Sequence, residues 1–146
     1  MPSITPERAY DRLVRLFTVD EANRLLPEVT DLVRSMQAQG AELAQKQRAY
    51  ADAQHHTSSN GHSVEEKLAA ARAELERLSE AVNARIAQLN DLGCVVKDVA
   101  MGLLDFPGLR EGEVVNLCWR LGEPEVAFWH PMNTGFADRR PIGADD

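Results

Sequence analysis

Two long stretches of helical periodicity, separated by a short polar break, constrain this chain more than any other feature of its sequence. In the first stretch, apolar residues recur at a helical period: Ala22, Leu25, Leu26, Val29, Leu32, Val33, Met36 and Leu43. In the second stretch the stripe follows heptads, through Leu68, Leu75, Val82 and Leu89, with Ala71, Leu78 and Ile86 between them. The pattern predicts two amphipathic helices, the second of them coiled-coil-like, that pair as a long antiparallel hairpin from about Thr18 to Leu92.

Local signals mark where each helix should begin. Thr18 and Glu21 have the spacing of a capping box, in which each residue bonds the backbone of the other. Ser63 and Glu66 repeat the same spacing before the second stripe. A helix is therefore predicted to begin at each pair. Pro27 lies inside the first stripe and predicts either a kink or a restart of that helix.

The break between the helices is polar and turn-forming. Residues 55–62 include Asn60-Gly61, a pair that suits a left-handed turn, and this predicts the tip of the hairpin. Gly93 is placed to end the second helix in a left-handed conformation. Three histidines in the break could hold a metal weakly, although a solvated loop is the simpler interpretation; they are His55, His56 and His62.

The pattern changes after Gly93 to short apolar runs typical of strands. Residues 94–97 predict a short strand and residues 101–113, with their glycines and proline, predict a loop. Residues 114–120 and 126–130 predict two strands joined by a five-residue loop. The chain is therefore expected to be an α+β protein, a long helical hairpin with a small C-terminal antiparallel β-hairpin or sheet packed at its base.

Pairing Arg120 with Val126 across that loop fixes the register of the predicted strands and sorts their side chains into two faces. The more polar face carries Asn116, Cys118, Arg120 and His130, with Cys118 opposite Phe128 and Asn116 opposite His130. The other face is a core face, formed by Val115, Leu117, Trp119, Ala127 and Trp129. Both tryptophans are interpreted as core anchors, with stacking on a ligand as the alternative.

Length and charge limit the classes of function. The 146 residues suit one domain, predicted over residues 17–142, with an N-terminal extension at 1–16 and a tail at 143–146. The net charge of −7 argues against a nucleic-acid partner and an anionic membrane surface. No long apolar run and no secretory signal pattern occur, which predicts a cytoplasmic protein. The two cysteines, Cys94 and Cys118, are expected to be free thiols.

A hairpin of two thin helices encloses little interior of its own. Its apolar stripes must be covered by the C-terminal segment or by a second copy of the chain. We therefore expect a homo-oligomer, formed through the helical hairpin, as one outcome. A non-catalytic coiled-coil module for interaction or dimerisation is the alternative to a ligand-binding function.

Residues 97–140 concentrate the polar side chains that could carry chemistry. The His130 imidazole and the carboxylates of Asp98, Asp105 and Glu123 form a mixed nitrogen and oxygen set that suits zinc, iron or manganese. They come from separate segments, so only the fold can bring them together. In the alternative interpretation, the two aspartates cap turns, Glu123 completes the hairpin loop and His130 bonds its neighbours.

Catalytic roles follow from the same set. If a metal binds water, Glu123 or Glu125 is the natural general base, because a nearby carboxylate can accept its proton. Cys118 shares a predicted face with His130, which admits a Cys/His nucleophile. A cysteine in the middle of a strand is more often a buried apolar filler.

Arginines near the C-terminus form a candidate ligand clamp. A guanidinium offers two parallel donors to a carboxylate or phosphate, so Arg120 and Arg140, with Arg139, could hold an anionic ligand. The alternative is that they pair with the surplus acidic residues of the chain.

Several strings in the chain resemble a known family. They are Phe17-Thr18, Glu21-Ala22-Asn23, Leu25-Leu26-Pro27, Val96-Lys97-Asp98, Gly102-Leu103-Leu104-Asp105-Phe106-Pro107, Leu117-Cys118-Trp119-Arg120-Leu121-Gly122-Glu123-Pro124-Glu125, Trp129-His130, Gly135-Phe136 and Arg140-Pro141. With them the chain resembles the bacterial domain-of-unknown-function family 2203 over about residues 17–142. The resemblance supports the architecture and implies no activity. The residues themselves favour an uncharacterised divalent-metal or small-ligand binding protein, which includes a metal-dependent enzyme.

Overall fold

The computed structural model describes residues 15–55 and 61–143. In these ranges the helices are α1 (Val19–His55) and α2 (Gly61–Asp91), and the strands are β1 (Val95–Asp98), β2 (Leu103–Arg110), β3 (Glu113–Arg120), β4 (Phe128–Pro131) and β5 (Arg140–Pro141). A 3-10 turn at Phe136–Asp138 precedes β5. The strands pair antiparallel in chain order as one five-stranded sheet. The predicted α+β architecture is confirmed, and its sheet is larger than the two C-terminal strands alone.

Helix α1 begins with the predicted capping box. The Thr18 hydroxyl accepts from the Glu21 amide at 3.1 Å, and the Glu21 carboxylate accepts from the Thr18 amide at 3.2 Å. The bonds from Thr18 hold the pKa of Glu21 below its usual value. The helix then continues through Pro27, so the predicted restart does not occur. Pro27 lies on the exposed side of α1, where water can satisfy the carbonyl that loses its donor.

Helix α2 begins at Gly61, two residues before Ser63. Residues 56–60 and the side chains of residues 61–63 lie outside the described residues. The predicted hairpin tip, with its histidines His56 and His62, and the second capping box at Ser63 therefore lie outside them too. The structure describes the end of α2, and the predicted left-handed glycine that follows it is confirmed. Gly93 has a φ of +101°, and the Cys94 amide returns to the Leu89 carbonyl at 3.0 Å.

The core lies between the base of the helical hairpin and one face of the sheet. The helices contribute Ala22, Leu26, Val29, Val33, Met36, Leu78, Val82 and Leu89 as buried residues. The sheet contributes Leu104, Phe106, Leu117 and Trp119. Farther along the hairpin, Leu68 and Leu75 are only half-buried. Dimerisation through this outer half stays a prediction.

Charged residues recur along both helices. In the described part of the chain, neither helix combines the length and apolar character that crossing a membrane requires.

Polar contacts and a glycine attach the sheet to α1. The Asn23 side-chain oxygen accepts from the Val126 amide at 2.7 Å, and the Gln37 amide nitrogen donates to the Ala100 carbonyl at 2.6 Å. At Gly40 an added Cβ would lie 2.8 Å from Val99, so the glycine lets the turn after β1 contact the helix. These contacts fix where the sheet sits on the hairpin.

The prediction of a loop over residues 101–113 is wrong, because most of that segment is β2. Pro107 is tolerated in a strand here for a structural reason. Its carbonyl accepts from the Phe17 amide at 2.7 Å, on the side of the strand away from β3. The missing N–H of Pro107 points to that same side, so the β2–β3 ladder loses no hydrogen bond.

The predicted register of the last hairpin is confirmed. Asn116 pairs with His130 and Cys118 pairs with Phe128. Strand β4 starts at Phe128, two residues later than predicted, so the connection spans residues 121–127. The Val126 amide bonds the Asn23 side chain in place of a strand partner, which delays the start of the ladder.

The turn between β2 and β3 supplies a stability test. Glu111 and Gly112 have φ values of +51° and +79°, the two positive angles of a tight hairpin turn that asparagine adopts more easily than glutamate. Replacing Glu111 with Asn should therefore raise the free energy of unfolding by about 0.5–1 kcal/mol. Urea denaturation measures the gain, and Glu113→Asn, an exposed acid in an ordinary strand conformation, is the control. No gain from Glu111→Asn would contradict this account of the turn.

Candidate metal centre

Strand alternation brings three polar side chains together on the face of the sheet opposite the core. Asp105 of β2 is paired with Cys118 of β3, and His130 of β4 is paired with Asn116, two residues from Cys118 on the same face. Asp105, Cys118 and His130 are 1%, 0% and 2% exposed. The face that the sequence marked as more polar is therefore buried at its centre.

The donor atoms of this triad are close enough to share one ion. One ligand atom from each of Asp105, Cys118 and His130 lies within 4.8 Å of the other two. The His130 Nε2 and the nearer Asp105 oxygen are 2.9 Å apart. Among the described residues, this is the group whose donors converge in this way.

The second nitrogen of His130 fixes which atom faces the triad. Its Nδ1 lies 2.9 Å from the Pro131 carbonyl, which can only accept, so Nδ1 carries a proton and donates. In a neutral ring Nε2 then presents a lone pair to the Asp105 carboxylate, whereas a second proton on the ring would make Nε2 a donor to it. Two acceptor atoms at 2.9 Å need a proton or a cation between them. Metal-binding histidines are commonly held by such a bond from the other nitrogen.

Among the described residues, the far oxygen of Asp105 is buried and has no hydrogen-bond partner of ordinary geometry. The Cys118 thiol is close enough for a hydrogen bond to the Asp105 carboxylate to contribute to the raised pKa of the thiol. The Lys97 ammonium lies 4.0 Å from the far oxygen, beyond hydrogen-bond distance, and that lysine side chain is half exposed. A buried carboxylate oxygen without a donor costs free energy, because the protein does not replace the water it lost. A further positive charge near this oxygen would therefore lower the cost of burying it.

Cys118 is placed as a ligand more naturally than as a nucleophile. Burial raises the pKa of its thiol to about 12, and the neighbouring Asp105 charge adds to the rise. Both nitrogens of His130 already face other atoms, Pro131 and Asp105. Nε2, the ring nitrogen that could accept the thiol proton, is already engaged with Asp105, whereas a bound metal ion would favour the thiolate directly.

The other predicted metal and catalytic residues engage different partners. Asp98 accepts from the Met101 amide at 2.9 Å and caps the turn after β1. Glu123 accepts from the Arg120 amide at 2.7 Å and also pairs with Arg139. Glu125 is exposed and lines a cavity against α1. Metal or general-base roles for these residues stay predictions, and the triad does not include them.

The predicted arginine clamp is divided between the two faces of the sheet. Arg120 alternates with Cys118 and lies on the face of the triad, whereas Arg140 is paired with Trp129 on the core face. These two side chains do not point toward a common ligand. Arg139 covers part of the triad's face, with its guanidinium 3.7 Å from the centre of the Phe128 ring.

Sequence reasoning named Asp105 and His130 as candidate metal ligands, and it considered Cys118 as a nucleophile or a buried apolar filler but not as a ligand. The signal that unites them is the alternation of side chains along β2. Asp105 shares a face with Leu103 and Pro107, and the strand register then places it opposite Cys118. Because residues 101–113 were predicted as a loop, no strand register was assigned to them, and the pairing of Asp105 with Cys118 was not predicted. Lys97, the charged neighbour of Asp105, was also missed because the bulge in β1 shifts its register.

Comparison with known proteins gives the chain a family. The family model described as an uncharacterized conserved protein (DUF2203) matches residues 15–142. The chain belongs to this family. No curated protein and no solved structure matches it. The match begins at Arg15, which packs on Phe17 at 4.3 Å and pairs with Glu21, so the matched unit includes the residues that start α1.

The buried triad predicts an unusual effect of Asp105→Asn on metal-free protein. The new side-chain amide can donate to the His130 lone pair and replaces a buried charge by a neutral group. We expect the free energy of unfolding to rise by about 1 kcal/mol. Chemical denaturation in the presence of a chelator measures it. A loss of about 3–5 kcal/mol, typical of breaking a buried ion pair, would contradict this view of the triad.

Proposed function

We propose that this protein binds one divalent metal ion of the Zn²⁺ class through Asp105, Cys118 and His130. The observation that carries the proposal is the convergence of three buried donors, in which one carboxylate oxygen makes no hydrogen bond of ordinary geometry to the described residues. Native proteins rarely bury such a group without compensation. A cation in the triad would compensate the carboxylate more strongly than Lys97 at 4.0 Å and the Cys118 thiol do.

The chemistry of the three donors favours zinc. A thiolate, an imidazole and a carboxylate combine sulfur, nitrogen and oxygen, the mixture that Zn²⁺ accepts and that Mg²⁺ and Ca²⁺ avoid. Two ligand atoms of a tetrahedral site with bonds of about 2.0 Å lie about 3.3 Å apart. The Nε2 and Asp105 oxygen, at 2.9 Å, need to separate by only a few tenths of an ångström to admit the ion.

Three protein ligands leave one tetrahedral position for water or for a ligand. This is the arrangement of catalytic zinc sites, while structural sites usually have four protein ligands. Bound zinc would supply Lewis acidity at that position. The Lys97 ammonium is 4.0 Å from Asp105, and the lysine side chain is half exposed. Its charge favours an anionic group near the site.

Metal titration tests the proposal. Chelator-treated protein should bind Zn²⁺ and Co²⁺ at one ion per chain, and the Co²⁺ form should show thiolate-to-metal charge-transfer absorption. Cys118→Ser should abolish that absorption and weaken Zn²⁺ binding at least hundredfold, since a neutral hydroxyl replaces the thiolate. Isothermal titration calorimetry and visible absorption make the two measurements.

Cys94→Ser is the matched control. Cys94 is also buried, burial also raises its pKa to about 12, and it does not belong to the triad. This variant should bind metal as the unaltered protein does. Absence of stoichiometric binding by the unaltered chain, or equal loss in both serine variants, would refute the site.

A further inference from the structure

The triad that forms the candidate metal centre is covered on the side of the sheet that carries it. Asp105, Cys118 and His130 are at most 2% exposed. A metal ion can reach them only if some of the covering groups move. Part of the cover is the segment between β4 and β5, residues 132–139, which is called the strap below.

The C-terminal end of the strap lies beside Cys118. Phe128 is paired with Cys118, so both side chains point to the face of the triad. The Arg139 guanidinium stacks on this phenyl ring, 3.7 Å from its centre, and lies 4.9 Å from the centre of the Phe136 ring. Burial and the Asp105 charge raise the pKa of the Cys118 thiol, and the Arg139 charge opposes them, as expected of a cation close to the sulfur. Arg139 therefore covers the edge of the triad at Cys118.

The N-terminal end of the strap begins at the carbonyl that orients His130. This Pro131 carbonyl accepts from Nδ1 of His130 at 2.9 Å. It also accepts from the Thr134 amide at 3.1 Å and from the Thr134 hydroxyl at 3.0 Å, which start the turn into the strap. The strap is therefore connected to the histidine ligand at one end and lies against the neighbour of the cysteine ligand at the other.

An ion pair joins the strap to the loop between β3 and β4. Nη2 of Arg139 donates to Oε2 of Glu123. Glu123 is itself firmly held, since its other carboxylate oxygen accepts from the Arg120 amide at 2.7 Å and its carbonyl accepts from the Trp119 indole at 3.0 Å. The side chains of Arg139 and Glu123 are 12% and 24% exposed, so salt screens this pair less than a pair on the open surface.

Little apolar burial holds the strap down besides this pair. Met132 and Phe136, its large apolar residues, are 47% and 36% exposed. Opening the strap would therefore expose little further apolar area to water. A segment with few buried apolar contacts can open locally while the core stays packed.

We infer that the strap is a gate over the triad, that the ion pair between Arg139 and Glu123 keeps it closed, and that its opening admits the metal ion. The metal part of the inference rests on the proposed function. The motion does not, because it can be measured on metal-free protein.

Thiol labelling with an uncharged reagent, in the presence of a chelator, measures the gate. Arg139→Gln should raise the labelling rate of Cys118 about tenfold, because it removes the charge-assisted hydrogen bond that closes the strap. Loss of the Arg139 charge alone would slow the reaction, since it disfavours the thiolate. Cys94, buried in the hydrophobic core, should keep its rate and so reports on unfolding of the chain. Mass spectrometry assigns the label to each cysteine.

Two further variants test the ion pair itself. Glu123→Gln should accelerate labelling of Cys118 as Arg139→Gln does, and the double variant should be no faster than either, since all three break one contact. Arg140→Gln is the matched control. Arg140 is the next residue, but its guanidinium lies over Trp129 on the core face, so labelling should not change.

Zinc exchange links the gate to the proposed metal site. A chelator should remove Zn²⁺ from Arg139→Gln about tenfold faster than from the unaltered protein, and Zn²⁺ should enter faster by a similar factor. A gate changes both rates and leaves the affinity nearly constant. A large loss of affinity in Glu123→Gln would instead make Glu123 a metal ligand and would contradict its role in the gate.

Three labelling results would overturn the inference. One is a Cys118 rate in Arg139→Gln equal to that of the unaltered protein. Another is equal acceleration at Cys118 and Cys94, which would mean that the substitution destabilises the whole chain. The third is a larger acceleration by Lys97→Ala than by Arg139→Gln, which would place the route on the Lys97 side of the triad.

The two proposals fail separately. Zinc binding with unchanged labelling would refute the gate alone. Labelling that behaves as expected in a chain that binds no zinc would confirm the opening of the strap and refute the metal site.

Discussion

The burial of one face of the sheet against the base of the helical hairpin is the constraint on which the rest of the structure depends. Leu104, Phe106, Leu117 and Trp119 are at most 5% exposed there, and they remove a large apolar area from water. The contact between Asn23 and Val126 and the close approach at Gly40 set the position of the sheet. Because side chains alternate along a strand, this choice of face also decides where every polar neighbour points.

The polar neighbours are the source of the candidate chemistry. Asp105 lies between Leu104 and Phe106, so burying those two apolar residues directs the carboxylate to the other face of the sheet. There it meets Cys118 and His130, out of contact with water. A stable core alone would be served as well by apolar residues at these positions. Under the proposed function, a bound cation accounts for a buried polar triad that folding alone does not require.

Local patterns were sufficient for much of the fold. The capping box at Thr18, the stop at Gly93 and the register of Asn116 with His130 all follow from residues close together in sequence. Strand β2 was missed because Pro107-Gly108 normally breaks a strand, and it is accepted only because Phe17, distant in the chain, lies along that edge. The same error hid Cys118 as a partner of Asp105. The residue types of the site were predictable, and their convergence required the fold.

X-ray absorption at the zinc edge tests the central claim most directly. On zinc-loaded protein, the account predicts one sulfur neighbour at about 2.3 Å, from Cys118, together with nitrogen and oxygen neighbours at about 2.0–2.1 Å. The sulfur shell should vanish in Cys118→Ser and persist in Cys94→Ser. A zinc environment of nitrogen and oxygen alone in the unaltered protein would contradict the account, since the ion would then lie elsewhere on the chain.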